Sequence, residues 1–127
     1  MAVHASCRVL IVCESAHAGQ QQLAAVIQSS RLVSVDGVIS LQHAETSLRR
    51  LWPEVILLEH TTGLQVLQFI RAASTQARIL LYRVSTFDDH VVECLVAGAR
   101  GILSADATPG EILDTILAGD SGGVICP

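Results

Sequence analysis

The sequence predicts an α/β fold in which helices cover both faces of a parallel sheet. Three observations predict it. First, the apolar runs at 8–13, 53–60, 78–82 and 101–104 are nearly continuous, as strands buried on both faces must be. Second, a stretch with helical spacing follows each of them and also follows a fifth, partly alternating run at 32–38. Third, half of the 127 residues are apolar but the only aromatics are Trp52, Phe69, Tyr82 and Phe87, so the core is aliphatic. Strand and helix alternating five times make a doubly wound sandwich, and this length suits one domain with one core.

In order, the run at 8–13 is a buried strand that ends in Cys13 and Glu14. The helix after it turns Leu23, Val26 and Ile27 to one face and Gln20, Gln21, Gln22 and Gln28 to the other. The second strand, with Leu32, Val33, Val35 and Val38 as its apolar positions and Gly37 inside it, is more exposed. Ser40 can cap a helix built on Leu41, Ala44, Leu48 and Leu51 and stopped by Pro53. The run Val55-Ile56-Leu57-Leu58 is then the central strand, and it closes on Glu59.

A third helix is expected over 63–73, with Leu67 and Ile70 inward, and a fourth strand over 78–82. Asp88 and Asp89 suit the positive start of a helix that buries Val91, Val92 and Leu95 and stops at Ala97-Gly98. A short strand at 101–104 precedes Thr108-Pro109-Gly110-Glu111, where threonine can cap, proline opens the helix and glutamate reaches back. Ile112, Leu113, Ile116 and Leu117 pack the last helix, which Gly119 ends. The tail 120–127 reads as a domain edge, so the chain reads as one domain, with its core over about 7–119, cut from a longer protein.

Several function classes are excluded at this level. A net charge of −4 offers no electrostatic footprint for nucleic acid, and no apolar run reaches the length of a membrane span. The first strand is followed by neither GxGxxG nor GxxxxGK[ST], and no GxSxG nucleophile elbow occurs. Cys7, Cys13, Cys94 and Cys126 have no CxxC or metal-type spacing and read as reduced and mostly buried. His4, His17, His43, His60 and His90 form no HxxxH or HExxH pair, and no metal or other cofactor is expected.

The order of elements, Ala97-Gly98-Ala99-Arg100-Gly101 and the segment Asp106-Ala107-Thr108-Pro109-Gly110-Glu111-Ile112-Leu113 together strongly resemble the receiver domain of bacterial response regulators. The subclass resembled is the NarL/LuxR type, which precedes a helix-turn-helix, and the resemblance spans residues 7–127. It implies a CheY-like, flavodoxin-like (βα)5 fold with strand order 2-1-3-4-5. It also implies Mg²⁺-assisted phosphoryl transfer to an aspartate, but the residues for that chemistry are degenerate. The acidic pair falls on Cys13 and Glu14, the phosphoacceptor on Glu59, the hydroxyl on Arg83, the lysine on Ala105 and the aromatic switch on Ile102. All eight basic residues are arginines, so no lysine elsewhere can substitute. Mg²⁺, which demands several oxygens in octahedral array, is poorly served by this set.

The expected replacement is an internal ion cluster of Glu14, Glu59 and Arg83 at neighbouring strand ends, since a guanidinium can fork across two carboxylates. Cys13 is read as an inert buried thiol, the alternative being a redox-active thiolate activated by Arg83. His60 is read as a loop residue and Cys94 as core. The function implied is a cytoplasmic, non-enzymatic receiver of a transcriptional regulator with no catalytic residue. It would act through protein contact and a homodimer formed by the fourth helix, fifth strand and fifth helix. Its partner in the chain would be a C-terminal output domain, a DNA-binding helix-turn-helix. The alternative is a small-molecule-sensing pseudo-receiver, because the shortened loop after Glu59 and the lost lysine leave room above the sheet. A conventional phosphoacceptor receiver is the third reading.

Overall fold

The computed structural model describes residues 7–14, 18–74 and 76–118. Along the chain come β1 (Cys7–Cys13), α1 (Ala18–Gln28), β2 (Val33–Ser40), α2 (Leu41–Leu48) and β3 (Val55–Glu59). They are followed by α3 (Leu64–Ala73), β4 (Arg78–Val84), α4 (Asp89–Ala97), β5 (Gly101–Ser104) and α5 (Pro109–Ala118). The sheet order is β2-β1-β3-β4-β5 and every pairing is parallel, as the sequence predicts. The expected helix end at Gly119, the tail 120–127, His4, His17 and Cys126 lie outside the described residues.

Alternation along the strands splits the core into two layers. Leu10, Val12, Ile56, Leu58, Ile79, Leu81 and Ile102 face one side, against Ala44 of α2, Phe69 and Ile70 of α3, and Val91 and Cys94 of α4. Val9, Ile11, Val55, Leu57, Leu80, Tyr82 and Leu103 face the other, against Leu23 and Ile27 of α1 and Ile112 and Ile116 of α5. Each face of the sheet thus needs its own helices, which is why the strands have no polar alternation to show.

The local signals behave as their chemistry requires at two helix starts. Asp88 caps α4 by accepting from the Val91 N–H at 3.1 Å. Thr108 and Glu111 exchange hydrogen bonds across the first turn of α5, at 2.8 and 3.1 Å, in a complete capping box. Gly98 ends α4 at φ 136° with its α-carbon against α3, where a Cβ would stand 2.6 Å from the Ser74 Cβ. Only glycine meets both demands.

Other expectations need correction. Ser40 precedes α2 but makes no capping bond, because its hydroxyl engages His43 Nδ1 at 2.8 Å instead. Leu32 lies outside β2 and is exposed, and Gly63 stands before α3 rather than within it. Val26, Val92 and Leu117, expected inward, are exposed at the margins of their helices, since a narrow sheet covers only part of each apolar stripe. Gln20, expected on the outer face of α1, is 2% exposed. It lies three residues before Leu23 and seven before Ile27, so it shares their inward face.

Candidate functional site

The carboxyl ends of β3 and β4 bring Glu59 and Arg83 together. Glu59 ends β3 opposite Tyr82 in the β3–β4 register, on the side of the sheet that faces α1 and α5. Its carboxylate collects three donors from the chain itself. The Glu14 backbone N–H donates to Oε1 at 3.0 Å, the Gln20 amide Nε2 donates to Oε2 at 3.3 Å, and Arg83 Nε lies 3.4 Å from Oε2. The Glu59 side chain is 12% exposed whereas that of Arg83 is 56% exposed, so the ion pair is half solvated and its direct contribution is about 1 kcal/mol or less.

Arg83 reaches Glu59 because β4 is irregular there. The β4–β5 register shifts between Leu81 and Val84, and both of those residues pack into the same core layer. The extra residue leaves the alternation, and Arg83 sits at φ 62°, the left-handed region that side chains other than glycine's rarely occupy. A bulge that re-aims one side chain is therefore built into the strand end.

The expected Glu14/Glu59/Arg83 cluster forms in altered composition. Arg83 pairs with Glu59, but Glu14 contributes its backbone N–H and its side chain is exposed. Gln20 takes the third place, which the sequence reading missed for the helical-face reason given above. Cys13 is buried, with its thiol 3.5 Å from the Ile39 carbonyl oxygen. Burial and then the Glu59 charge push this thiol up, opposite to the shift that would make it a reactive thiolate. Ile102 is buried in the sheet core, and Ala105 is exposed just past β5, its N–H donating to the Val84 carbonyl at 2.9 Å.

Two clefts open around this cluster. One of about 550 Å³ runs beside Glu14, Thr61 and Thr62 towards the start of α3. The other, about 310 Å³, lies between α1, the end of β4 and the start of α5, with Gln20, Tyr82 and Arg83 in its lining. Burial and then Glu59 push the Tyr82 phenol well above its usual range, while the nearby Gln20 amide offsets a small part without reaching hydrogen-bond geometry.

On the opposite face, two histidines far apart in sequence meet. His60 Nε2 lies 3.2 Å from His90 Nδ1, and His90 Nε2 lies 3.2 Å from both the N and the O of Gly63. Burial, followed by His90, pushes His60 down, with Asp88 opposing. Cys94, 3.8 Å from His90 Nδ1, is fully buried, and burial pushes its thiol up to about 11. His60 lies in the loop after β3, as the sequence suggested, and there it packs against His90. Among the described residues no group of three or more His, Cys, Asp or Glu side chains is arranged to hold a metal ion.

No family model matches the chain, and no curated protein does. Solved structures do. The signal receiver domain of NarL from Mycobacterium tuberculosis superposes with a TM-score of 0.77 at 23% identity, over 92% of this chain and 98% of that one. A LuxR-family two-component response regulator from Aurantimonas sp. SI85-9A1 gives 0.79 at 20% identity, over 97% and 91%. ChrA, a response regulator in a heme-sensing two-component system, gives 0.70 at 20% identity; 96% of this chain covers 61% of ChrA. The chain has the receiver fold of response regulators, including those of the NarL/LuxR type, as its sequence leads one to expect.

Proposed function

We propose that this chain is a regulatory, non-enzymatic receiver module that works through protein contacts and does not accept phosphate by the usual receiver route. The observation that carries this reading is the Glu59 carboxylate, already engaged by Glu14 N–H, Gln20 and Arg83. Mg²⁺ needs several hard oxygens in octahedral array. Here the neighbouring acidic position is the buried Cys13 thiol, and a guanidinium occupies the edge where the cation's charge would act. These residues do not fit the metal. Ala105 offers no cation beyond β5, and a carboxylate one methylene longer than aspartate ends β3.

Acetyl phosphate or beryllofluoride with Mg²⁺ tests the reading. No change in the amide NMR spectrum is expected, and a change that disappears in Glu59→Gln would overturn it.

The contact surface in this proposal is that of α4, β5 and α5, forming a homodimer. Val92 and Val96 on α4 and Leu117 on α5 are exposed, Val96 by 84%, and apolar surface of this kind is what association removes from water. Size measurement at micromolar concentration is expected to give a dimer that Val96→Glu disperses; a monomer from the unaltered chain would reject it. The module is further proposed to be cytoplasmic and to control a C-terminal DNA-binding helix-turn-helix, for which the receiver fold shared with LuxR-family regulators is the support. No described helix is long and apolar enough to cross a membrane. Identifying the residues after Pro127 decides the output assignment: a helix-turn-helix supports it and an enzymatic domain refutes it.

A further inference from the structure

Charge is divided between the two ends of the sheet. Arg8, Arg31, Arg49, Arg50, Arg71 and Arg100 are exposed, and all lie at the end where strands begin and helices finish. The one carboxylate placed there among the described residues is Glu54, whose Oε1 accepts from the Arg8 backbone N–H at 3.2 Å. At the opposite end are Glu14, Glu59, Asp88, Asp89, Asp106 and Glu111, with Arg83 the one arginine among them. β1, β3 and β4 have 7, 5 and 7 residues. At about 3.3 Å per residue the two ends are roughly 15–20 Å apart. That is about two screening lengths at physiological salt, so the basic end keeps its own field although the net charge is −4.

A base near the carboxyl end of a helix also complements the helix dipole. That accounts for one arginine per helix, and not for the pair Arg49-Arg50, for Arg8 on a strand or for the tryptophan among them. Trp52 is 60% exposed, and its carbonyl accepts from the Arg8 guanidinium, which keeps Arg8 beside it. With Glu45, Leu48, Arg49, Ala72 and Gln76, Trp52 lines a cleft of about 330 Å³ between the ends of α2 and α3.

We infer that this end of the molecule docks an acidic segment of a partner protein. An aromatic or leucine side chain of that segment enters the cleft against Leu48, Trp52 and Ala72, while its carboxylates meet Arg8, Arg49 and Arg50.

Tryptophan and arginine are the residues that most often dominate protein interfaces, and guanidinium forks match carboxylates in pairs. Charge complementarity sets the sign of the partner, and the apolar wall asks for one bulky side chain. Glu45 in the lining disfavours a nucleic acid, which carries a charge on every phosphate, whereas a peptide can offer Glu45 a backbone N–H. The surface is separate from Glu59 and from the α4, β5 and α5 face, so it does not depend on either of those proposals.

Trp52 is the single tryptophan of the chain, so its fluorescence reports on the cleft directly. Titration of the 127-residue chain with the capped peptide Asp-Glu-Asp-Phe-Asp-Glu-Asp should give a saturable change in Trp52 emission, with amide NMR shifts around Leu48, Arg49, Trp52 and Ala72. The uncharged analogue Asn-Gln-Asn-Phe-Asn-Gln-Asn, and the acidic peptide with alanine in place of phenylalanine, should each bind about tenfold more weakly. Raising the salt from about 20 mM to about 300 mM should weaken the acidic peptide by about the same factor. Arg49→Glu combined with Arg50→Glu should abolish its binding. The inference is overturned if no saturable response appears in the low-millimolar range, if the shifts cluster elsewhere, or if the uncharged analogue binds equally well. Tighter binding of an oligothymidylate would assign the face to nucleic acid instead, and the same Trp52 response on concentrating the protein alone would assign it to the acidic end of a second copy; either result overturns it. The peptide and salt comparisons use the unaltered chain and decide the matter even if the double variant fails to fold.

Discussion

The two faces of this sheet are made from one set of strands and solve burial differently. Against α2, α3 and α4 the strands meet aliphatic side chains, Phe69 and the neutral thiol of Cys94, and Gly98 lets α4 close onto α3. Against α1 and α5 they meet fewer residues, a tyrosine and a glutamine have polar atoms without partners, and a cleft remains. Even the strand ends differ. A histidine pair closes one side at His60 and His90, and an ion pair closes the other at Glu59 and Arg83. One face is closely packed, and the other keeps buried polar atoms without partners beside a cleft.

Substitutions can break or sharpen that contrast. The largest effect is expected on the packed face: Phe69→Ala should cost about 3–5 kcal/mol in urea unfolding, because a fully surrounded ring leaves a cavity. A cost under about 1 kcal/mol would mean that this face repacks as readily as the other. Gly98→Ala should follow at about 2–3 kcal/mol, combining an unfavourable φ with the collision at Ser74.

On the α1/α5 face the sign reverses. Tyr82→Phe removes a buried hydroxyl that bonds to nothing, so stability should be unchanged or rise by about 1 kcal/mol. A clear loss would show that the hydroxyl is satisfied in solution.

The smallest effect should appear only as a slope. His60 is pushed below its ordinary value by burial and by His90, so on acidification the unfolded chain takes up this proton first. Its contribution is therefore complete above about pH 6.5 and is lost as the pH falls through the lowered folded value. Urea midpoints between about pH 7 and about pH 5 should fall less steeply in His60→Phe than in the unaltered chain.

Much of this was legible in the sequence. The continuous apolar runs identify strands buried on both faces, Thr108-Pro109-Gly110-Glu111 identifies a capping box, and Ala97-Gly98 identifies a helix end, because each depends on neighbours in the chain. Glu59 and Arg83 could be placed at adjacent strand ends once the strand order was anticipated. Gln20 was also within reach, since its spacing to Leu23 and Ile27 is helical, but polarity argued it outward.

By itself, then, the sequence determined the five β/α units with their parallel strands, and its resemblance to receiver domains supplied the strand order. Periodicity, caps and residue identity are local properties, and a chain carries them wherever it goes. Tertiary structure alone decided that Gln20 rather than the Glu14 carboxylate completes the Glu59 cluster and that His60 meets His90. It also decided that a β4 bulge turns Arg83 to φ 62° and that Tyr82 lines a cleft. Each of these joins groups thirty or more residues apart or depends on a register shift. Such meetings are set by how the layers settle on one another, which no window of sequence contains.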